Sequence, residues 1–321
     1  MHKILVSDVG GTNGRFAIAT LNADGKLDSI SNIGVLQCRE YKTFSLMLKD
    51  YLSTINETPA IARFAIAGAM TARRGNLWHF NWEIVAEDLE NEFHFENVTL
   101  LNDYEALVHS IPHLSNDDLK TISPATSGLT GAPFSVFGVG SGLGGAIGVP
   151  SKHALNVVPT EVGHISFAPK TERQQKLLTF TKKSVPHVSI ETFMSGNGIC
   201  RIYDFLNFDQ QLNADELTAA QISQNAQNNN DPLCVETMNL FFEMLASIAG
   251  DISVAQGAKG GVFIGGGIIP KNIDLIGHDD FIAKFTDKGP MTDYNKQIPV
   301  SIITSDMPAL IGSAMAPNWN D

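Results

Sequence analysis

Five stretches of this chain place carboxylates, amides or glycines where they could do chemistry. The first is Asp8-Val9-Gly10-Gly11-Thr12-Asn13, at the end of an apolar run that starts at Ile4. Adjacent glycines between β-forming runs are the composition of a tight hairpin. The same residues also suit a phosphate cradle, because glycine lets backbone N–H groups converge on an anion at close range. Glycine recurs at Gly140-Ser141-Gly142-Leu143-Gly144-Gly145 and at Gly265-Gly266-Gly267. Two acid-bearing groups complete the set: Asn102-Asp103, and Glu161 and His164 with Glu191. A carboxylate near an alcohol can orient it and accept its proton during phosphoryl transfer. Carboxylates and imidazoles also bind polyol hydroxyls, each of which donates and accepts. Every one of these residues has a plain reading as well. Asp103 fits a helix N-cap, Glu191 a dipole partner in a first helical turn, Glu161 and His164 a mutually satisfied pair, and each glycine run a turn.

The elements that must position them follow from periodicity. Ile4 to Ser7 reads as a buried strand, Arg15 to Leu21 as its hairpin partner, and Leu27 to Leu36 as a third strand after the Asn22–Lys26 turn. Phe44, Met47, Leu48, Tyr51, Leu52 and Ile55 recur at helical spacing. Ala62 to Met70 reads as a strand, Ile84 to Phe93 as a helix capped by Asn81, and Val98 to Asp103 as a strand leading into a helix that ends near Ile111. From Pro112 to Pro133 the pattern dissolves into Ser, Thr, Gly and Pro, as at a crossing between domains. Phe134 to Val149 then repeats strand, glycine turn, strand, an echo of the opening hairpin. Helices are expected near Glu172 to Lys182, Ser189 to Met194 and Asn197 to Leu206, with a long one opening at Asp231-Pro232. Strands at Gly260 to Gly267 and Ile298 to Thr304, and a helix from Pro308 to Ala316, close the chain. Hairpin-linked strands followed by alternating helices and strands give a mixed sheet, hence an α/β fold.

Bulk properties narrow the function. With 321 residues the chain exceeds the roughly 250–300 at which single cores stop growing, so two domains are expected. The net charge of −12 argues against a nucleic-acid surface, and no basic helix-turn-helix pattern occurs. It leaves room for an anionic ligand held by backbone N–H groups and a cation. Cys38, Cys200 and Cys234 are too scattered for a zinc or disulfide framework. The first apolar run carries Ser7 and Asp8, so a signal peptide is not expected, and no uncharged stretch reaches the ~20 residues of a membrane span. The expected location is cytoplasmic.

Gly140 to Gly145 fits the G-x-G-x-x-G dinucleotide pattern, with Glu161 about 20 residues on. That fingerprint must open a helix, whereas Ala146-Ile147-Gly148-Val149 reads as a strand. It would also leave Asp8 idle. Taken in order, DVGGTNGR, LLNDYEA, GVGSGLG, PTEVGH, SIETFMSGNG, GGVFIGGGIIP and DMPALIGSA resemble bacterial glucokinases of the non-zinc type, within the hexokinase and actin-like ATPase superfamily. The resemblance spans nearly the whole chain. It implies a two-domain actin-like ATPase (ribonuclease H-like) fold with a cleft, a small α/β domain at 1–112 plus 306–321, and a large one at 113–305.

The resemblance also implies ATP-dependent phosphorylation of D-glucose at its 6-hydroxyl, with Mg²⁺, in a homodimer. It makes Asp103 the catalytic base and Asn102, Asp103, Glu161, His164 and Glu191 the glucose contacts. It puts Asp8 on hydrated Mg²⁺, since that ion keeps most of its waters and takes few carboxylates. Gly10, Gly11, Thr12, Asn13, Gly140, Ser141 and Gly142 would line the phosphates, and Gly265, Gly266 and Gly267 the adenosine end. Two features depart from the family. Thr160 and Val162 stand where relatives have glycine, which would reshape the sugar loop and leaves mannose, fructose or an N-acetylhexosamine as alternative substrates. Ile165 to Lys183 lack the cysteines of the zinc-bearing relatives, which leaves His164 for sugar. A non-catalytic sugar sensor is the reading from another class, disfavoured by the acidic charge and by the absence of a DNA-binding helix pair ahead of the Asp8 strand. Trp78 and Trp82 read as core or cleft wall only.

Overall fold

The computed structural model describes residues 2–71, 73–77 and 80–318; Trp78 lies outside the described residues. The chain divides into two compact units, Met1–Asp117 with Ser305–Asp321, and Asp118–Thr304.

In the first unit, β1 (His2–Val9), β2 (Asn13–Leu21) and β3 (Leu27–Gln37) form an antiparallel meander, followed by α1 (Phe44–Ser53) and β4 (Ile61–Ile66). Next come three short strands, β5 (Ala69–Thr71), β6 (Arg74–Leu77) and β7 (Trp82–Val85). Then α2 (Ala86–Phe93), β8 (Asn97–Asn102) and α3 (Asp103–Ser110) complete this part. The main sheet runs β3-β2-β1-β4-β8, with β1, β4 and β8 parallel. Successive residues of a strand face opposite ways. Leu5 and Val9 accordingly pack with Phe44, Met47, Leu48 and Tyr51 of α1, while Ile4 and Val6 pack with Leu310 and Ala314 on the other face.

Two predicted elements differ here. The helix expected from Ile84 begins at Ala86, because Trp82 and Ile84 are buried on either side of exposed Glu83 and pair with Leu77 and Gly75 as a strand. Asn81 is a left-handed turn residue before that strand rather than a cap. The strand expected over 62–70 is two strands, broken at Ala67-Gly68, where a β-carbon at Gly68 would stand 2.0 Å from the Asn76 carbonyl oxygen.

The second unit repeats the plan. It contains β9 (Leu119–Thr121), β10 (Phe134–Val139), β11 (Leu143–Pro150) and β12 (Leu155–Thr160), then α4 (Glu172–Thr181), α5 (Gly196–Asp209), α6 (Ala219–Gln227) and α7 (Pro232–Gln256). After these come β13 (Gly261–Gly265), α8 (His278–Thr286), α9 (Thr292–Asn295) and β14 (Val300–Ile303). The sheet order β12-β11-β10-β13-β14 matches that of the first unit, with β9 added antiparallel at the edge. β9 lies inside the polar stretch that sequence reads as irregular. Its three residues pair with Ile303, Ile302 and Ser301. Asp231 caps α7, its carboxylate accepting from the Leu233 N–H at 2.8 Å. By length and composition α7 could cross a membrane, yet most of it is buried within the unit as its central core helix.

The C-terminal α10 (Pro308–Met315) belongs to the first unit and lies against α3. Gly312 permits this contact, since a β-carbon there would stand 1.6 Å from the Ala106 carbonyl oxygen. Buried Arg63 of β4 donates to the Ala314 carbonyl and to Asn318 Oδ1, which ties down the end of that helix. Overpacking a filled contact costs about 1–3 kcal/mol, and more where backbone must move. Gly312→Val should therefore lower the unfolding free energy by at least about 3 kcal/mol. Urea unfolding of the two proteins checks it, and an unchanged midpoint would mean that α10 docks differently.

Candidate active site

In the first unit the parallel register sets the geometry. Ile66 is level with Val9 on one side and with Asn102 on the other, so Asp8 and Asp103 meet at the carboxyl edge of the sheet. Ligands of open α/β sheets bind at that edge. Asp8 faces Arg15 across the β1–β2 hairpin, with Arg15 Nη1 3.2 Å from Asp8 Oδ2. The hairpin closes with the Gly10 N–H donating to the Asn13 carbonyl at 3.0 Å. Cys38 braces it from below, its N–H donating to the Thr12 carbonyl at 2.9 Å and its Sγ lying 3.4 Å from the Gly10 carbonyl. Gly11 and Thr12 are exposed at the tip.

The helix-cap role open to Asp103 falls to Asn102 instead. Asn102 Oδ1 accepts from the Tyr104 N–H at 2.9 Å, and Glu105 Oε2 returns the bond from the Asn102 N–H. Asn102 Nδ2 donates to the Gly68 carbonyl at 3.1 Å, so the strand break at Gly68 serves to hold this side chain. Asp103 Oδ1 accepts from the Tyr104 N–H at 3.1 Å, and its own N–H and the Asn102 side chain also favour its ionised form. Burial first, and then the charge of Asp8, push the Asp103 carboxyl up to about 7. Burial also raises Asp8, but there the Arg15 guanidinium opposes the shift.

In the second unit three segments meet at backbone contact. Glu191 Oε2 accepts from the Leu143 N–H at 2.8 Å, and its own N–H donates to the Gly163 carbonyl at 2.9 Å. A β-carbon at Gly163 would stand 2.1 Å from the Leu143 carbonyl oxygen, and one at Gly142 2.3 Å from Glu191 Oε2. Glu191 sits in a hydrogen-bonded turn rather than the expected helix, because the Ser189 N–H turns back to Thr192 Oγ1 and α5 starts only after its cap, Ser195. Glu161 and His164 flank a single 3-10 turn, both exposed, with 3.9 Å between His164 Nε2 and Glu161 Oε2. At that length they are not the mutually satisfied pair that spacing alone allowed. The two residues that depart from the family pattern are also placed. Val162 is buried in the core, and Thr160 Oγ1 donates to the Gly145 carbonyl at 2.9 Å.

The third glycine run follows β13. Gly266 needs glycine twice over, with φ +90° and a β-carbon position 2.3 Å from the Val139 carbonyl oxygen. Gly267 and Gly10 are different, for a β-carbon on either would meet nothing within 4 Å. Open space over the Gly10 and Gly267 backbone leaves room for close approach of a ligand at each. Among the described residues no cluster of three His, Cys, Asp or Glu could hold a metal. The lone Asp8 carboxylate, with Oδ2 on Arg15, suits only an ion that keeps its water, as Mg²⁺ does. Sequence reasoning missed Arg15, Gly68, Cys38 and Gly163. Only Arg15 left a signal, since hairpin register places it opposite Asp8.

A glucokinase family profile matches residues 5–318. The chain is 32% identical over 315 residues to a glucokinase of Saccharophagus degradans, covering 98% of each. It is 31% identical over 315 residues to a glucokinase of Nitrobacter hamburgensis, covering 98% of this chain and 96% of that one. A glucokinase crystal structure from an Antarctic psychrotroph superposes with a TM-score of 0.88 at 34% identity, over 98% of both chains. A Streptomyces griseus ROK family glucokinase solved with glucose and AMPPNP shares the fold, at a TM-score of 0.63 and 16% identity over 97% of this chain and 98% of that one.

The Asp103 carboxyl makes a prediction about stability. Its folded value of about 7 lies above the ordinary 3.8, so between those values the folded protein holds a proton that the unfolded chain has lost. Stability then falls as pH rises through that window and levels off above it. Asp103→Asn removes this slope. The difference in unfolding free energy between wild type and variant, measured in EDTA from pH 4 to 8, should decline for wild type across the window and flatten beyond it. A flat difference throughout would show that Asp103 is ionised like a surface carboxylate.

Proposed function

The chain belongs to the glucokinase family and phosphorylates glucose with ATP; from that premise we propose that Asp103 is the general base of the reaction. The observation that carries this role is a carboxyl raised to about 7, beside Asp8, with the neighbouring cap position filled by Asn102. A base works best when its pKa lies near the working pH. Asp103 takes the proton of the glucose 6-hydroxyl as that oxygen bonds to the γ-phosphorus and the bond from phosphorus to the ADP oxygen breaks. The products are glucose 6-phosphate and ADP. Asn102 positions the base through its bonds to Tyr104 and Gly68 and offers its remaining amide hydrogen to the sugar.

Glu161, His164 and Glu191 are the hydroxyl partners on the second unit, a role supported by the exposure of Glu161 and His164 and by the Glu191 N–H bond to the Gly163 carbonyl between them. Gly10, Gly11, Thr12 and Asn13 on one hairpin and Gly140, Ser141 and Gly142 on the other orient the phosphates. Gly265, Gly266 and Gly267 take the adenosine end. Asp8 holds hydrated Mg²⁺, which when bound neutralises phosphate charge. A cytoplasmic location is supported by the free state of Cys38, Cys200 and Cys234. A homodimer is supported by the family resemblance alone. Because Val162 is turned into the core, the departure at 160 and 162 leaves the sugar-facing atoms of Glu161 and His164 in place, which favours glucose over the other hexoses.

A coupled assay across glucose, mannose, fructose and N-acetylglucosamine, at equal concentration with MgATP, tests the substrate. Glucose should give the highest kcat/KM, and a higher value for another hexose overturns that choice. General-base catalysis is worth about 10²–10⁴ in rate. Asp103→Asn should lower kcat by at least about 10² while AMPPNP affinity stays within about twofold. Unchanged turnover in that variant removes Asp103 from the chemistry.

A further inference from the structure

The contact between Glu191 and the second glycine turn has a consequence for nucleotide affinity. Oε2 of Glu191 takes the Leu143 N–H at 2.8 Å and lies 2.3 Å from where a β-carbon of Gly142 would stand. A phosphate that accepted from the neighbouring N–H groups of this turn would stand about 5 Å from a carboxylate, where like charges repel. The same carboxylate is anchored through its backbone to Gly163, in the middle of the sugar loop, and Ile190 beside it donates to the Ile165 carbonyl at 2.9 Å. Its backbone is thereby held against that loop, and its carboxylate is held at the glycine turn by the Leu143 N–H.

We propose that Glu191 is a sugar-gated charge: its carboxylate weakens polyphosphate binding at Gly140–Gly142 until sugar hydroxyls donate to it and spread its charge. The inference rests on the assignment of that turn to phosphates and of Glu191 to the sugar. Nucleotide affinity then depends on sugar occupancy through one side chain, with no rearrangement of the turn. The kinase also gains a guard against hydrolysis, because ATP is held weakly when no acceptor alcohol is present. Binding energy from one substrate is used to favour the other, and by linkage the reverse holds by the same factor.

The test is equilibrium titration of the full-length protein with MgAMPPNP, with and without saturating glucose. Glu191→Gln keeps an oxygen for the Leu143 N–H and the shape of the side chain, and removes only the charge. In wild type, glucose should tighten AMPPNP binding about tenfold. In the sugar-free state Glu191→Gln should bind AMPPNP about tenfold more tightly than wild type, and glucose should change it by less than about twofold. Should Glu191→Gln fail to fold, Glu191→Asp, which keeps the charge, must still show weak sugar-free binding that glucose tightens. Sugar-free binding by Glu191→Gln that is equal to or weaker than wild type overturns the gate, and so does a Glu191→Asp protein indifferent to glucose. Wild type that binds no AMPPNP in either condition overturns instead the proposed kinase site.

Discussion

Two carboxylates share the carboxyl edge of one parallel sheet, and the organisation of the first unit follows from that. Asp8 and Asp103 are fixed there by the register of β1, β4 and β8, not by any contact between their side chains. Burying like charges together is unfavourable, and the usual outcome is that one group keeps its proton. The surroundings decide which. Arg15 stands against Asp8, whereas Asp103 is met by peptide N–H groups and the Asn102 side chain and, among the described residues, by no cation. Burial raises both carboxyls, but Arg15 opposes the shift at Asp8 while the charge of Asp8 adds to it at Asp103, so the two acids acquire different chemical characters from their environments. Asn102 and Gly68 preserve this asymmetry, since they occupy the helix cap that would otherwise draw in the Asp103 carboxylate.

The second unit solves a different problem. Its polar groups are not at one strand edge but on three separate segments, and they meet because glycine lets backbone touch backbone. Gly163 fits against the Leu143 backbone at a separation that no β-carbon could keep, and Gly142 lies against the carboxylate end of the Glu191 side chain. The loop bearing Glu161 and His164 and the turn at Gly140–Gly142 are consequently one packed body, where movement of either is felt by the other. The rigidity is on the backbone side, while Glu161 and His164 project into solvent with only a loose pairing at 3.9 Å. Such side chains are free to be organised by a ligand, on a frame that is already set.

Much of this was legible in the sequence, and the reasons differ by element. The hairpins at Asp8–Asn13 and Gly140–Gly145 announce themselves because turn glycines sit between strong β-formers, a purely local signal. Helix α7 is equally plain, with Asp231 and Pro232 marking its start. What failed was decided by tertiary pairing. Trp82 and Ile84 fit a helical face as well as a strand, and only β6 beside them selects the strand. Strand β9 has too little apolar content to show itself and exists because the edge of β14 needs a partner. The turn at Ser189–Met194 has helical composition, yet the Ser189 N–H bond to Thr192 Oγ1 diverts it. In the candidate site, residue types were readable and supporting contacts were not. Asp103 could be named from its position after a strand, but nothing local revealed that Asn102 would take the cap, or that Gly68 would hold Asn102.

The repeated topology sharpens the contrast between the units. In the first hairpin Asp8 is level with Arg15, next to the last strand pair, Val9 with Gly14. At the corresponding place of the second hairpin Gly138 is level with Gly144, next to the last pair, Val139 with Leu143. An ion pair in one copy is thus a pair of glycines in the other. Glycine at the second copy keeps that turn narrow, with the Gly140 N–H donating to the Gly142 carbonyl and the Leu143 N–H to Glu191. The charge absent from the strand returns from elsewhere in the chain as Glu191, which reaches the turn through its side chain alone. With glycine at the positions that correspond to Asp8 and Arg15, the carboxylate that meets the second hairpin is that of Glu191, bonded to the Leu143 N–H.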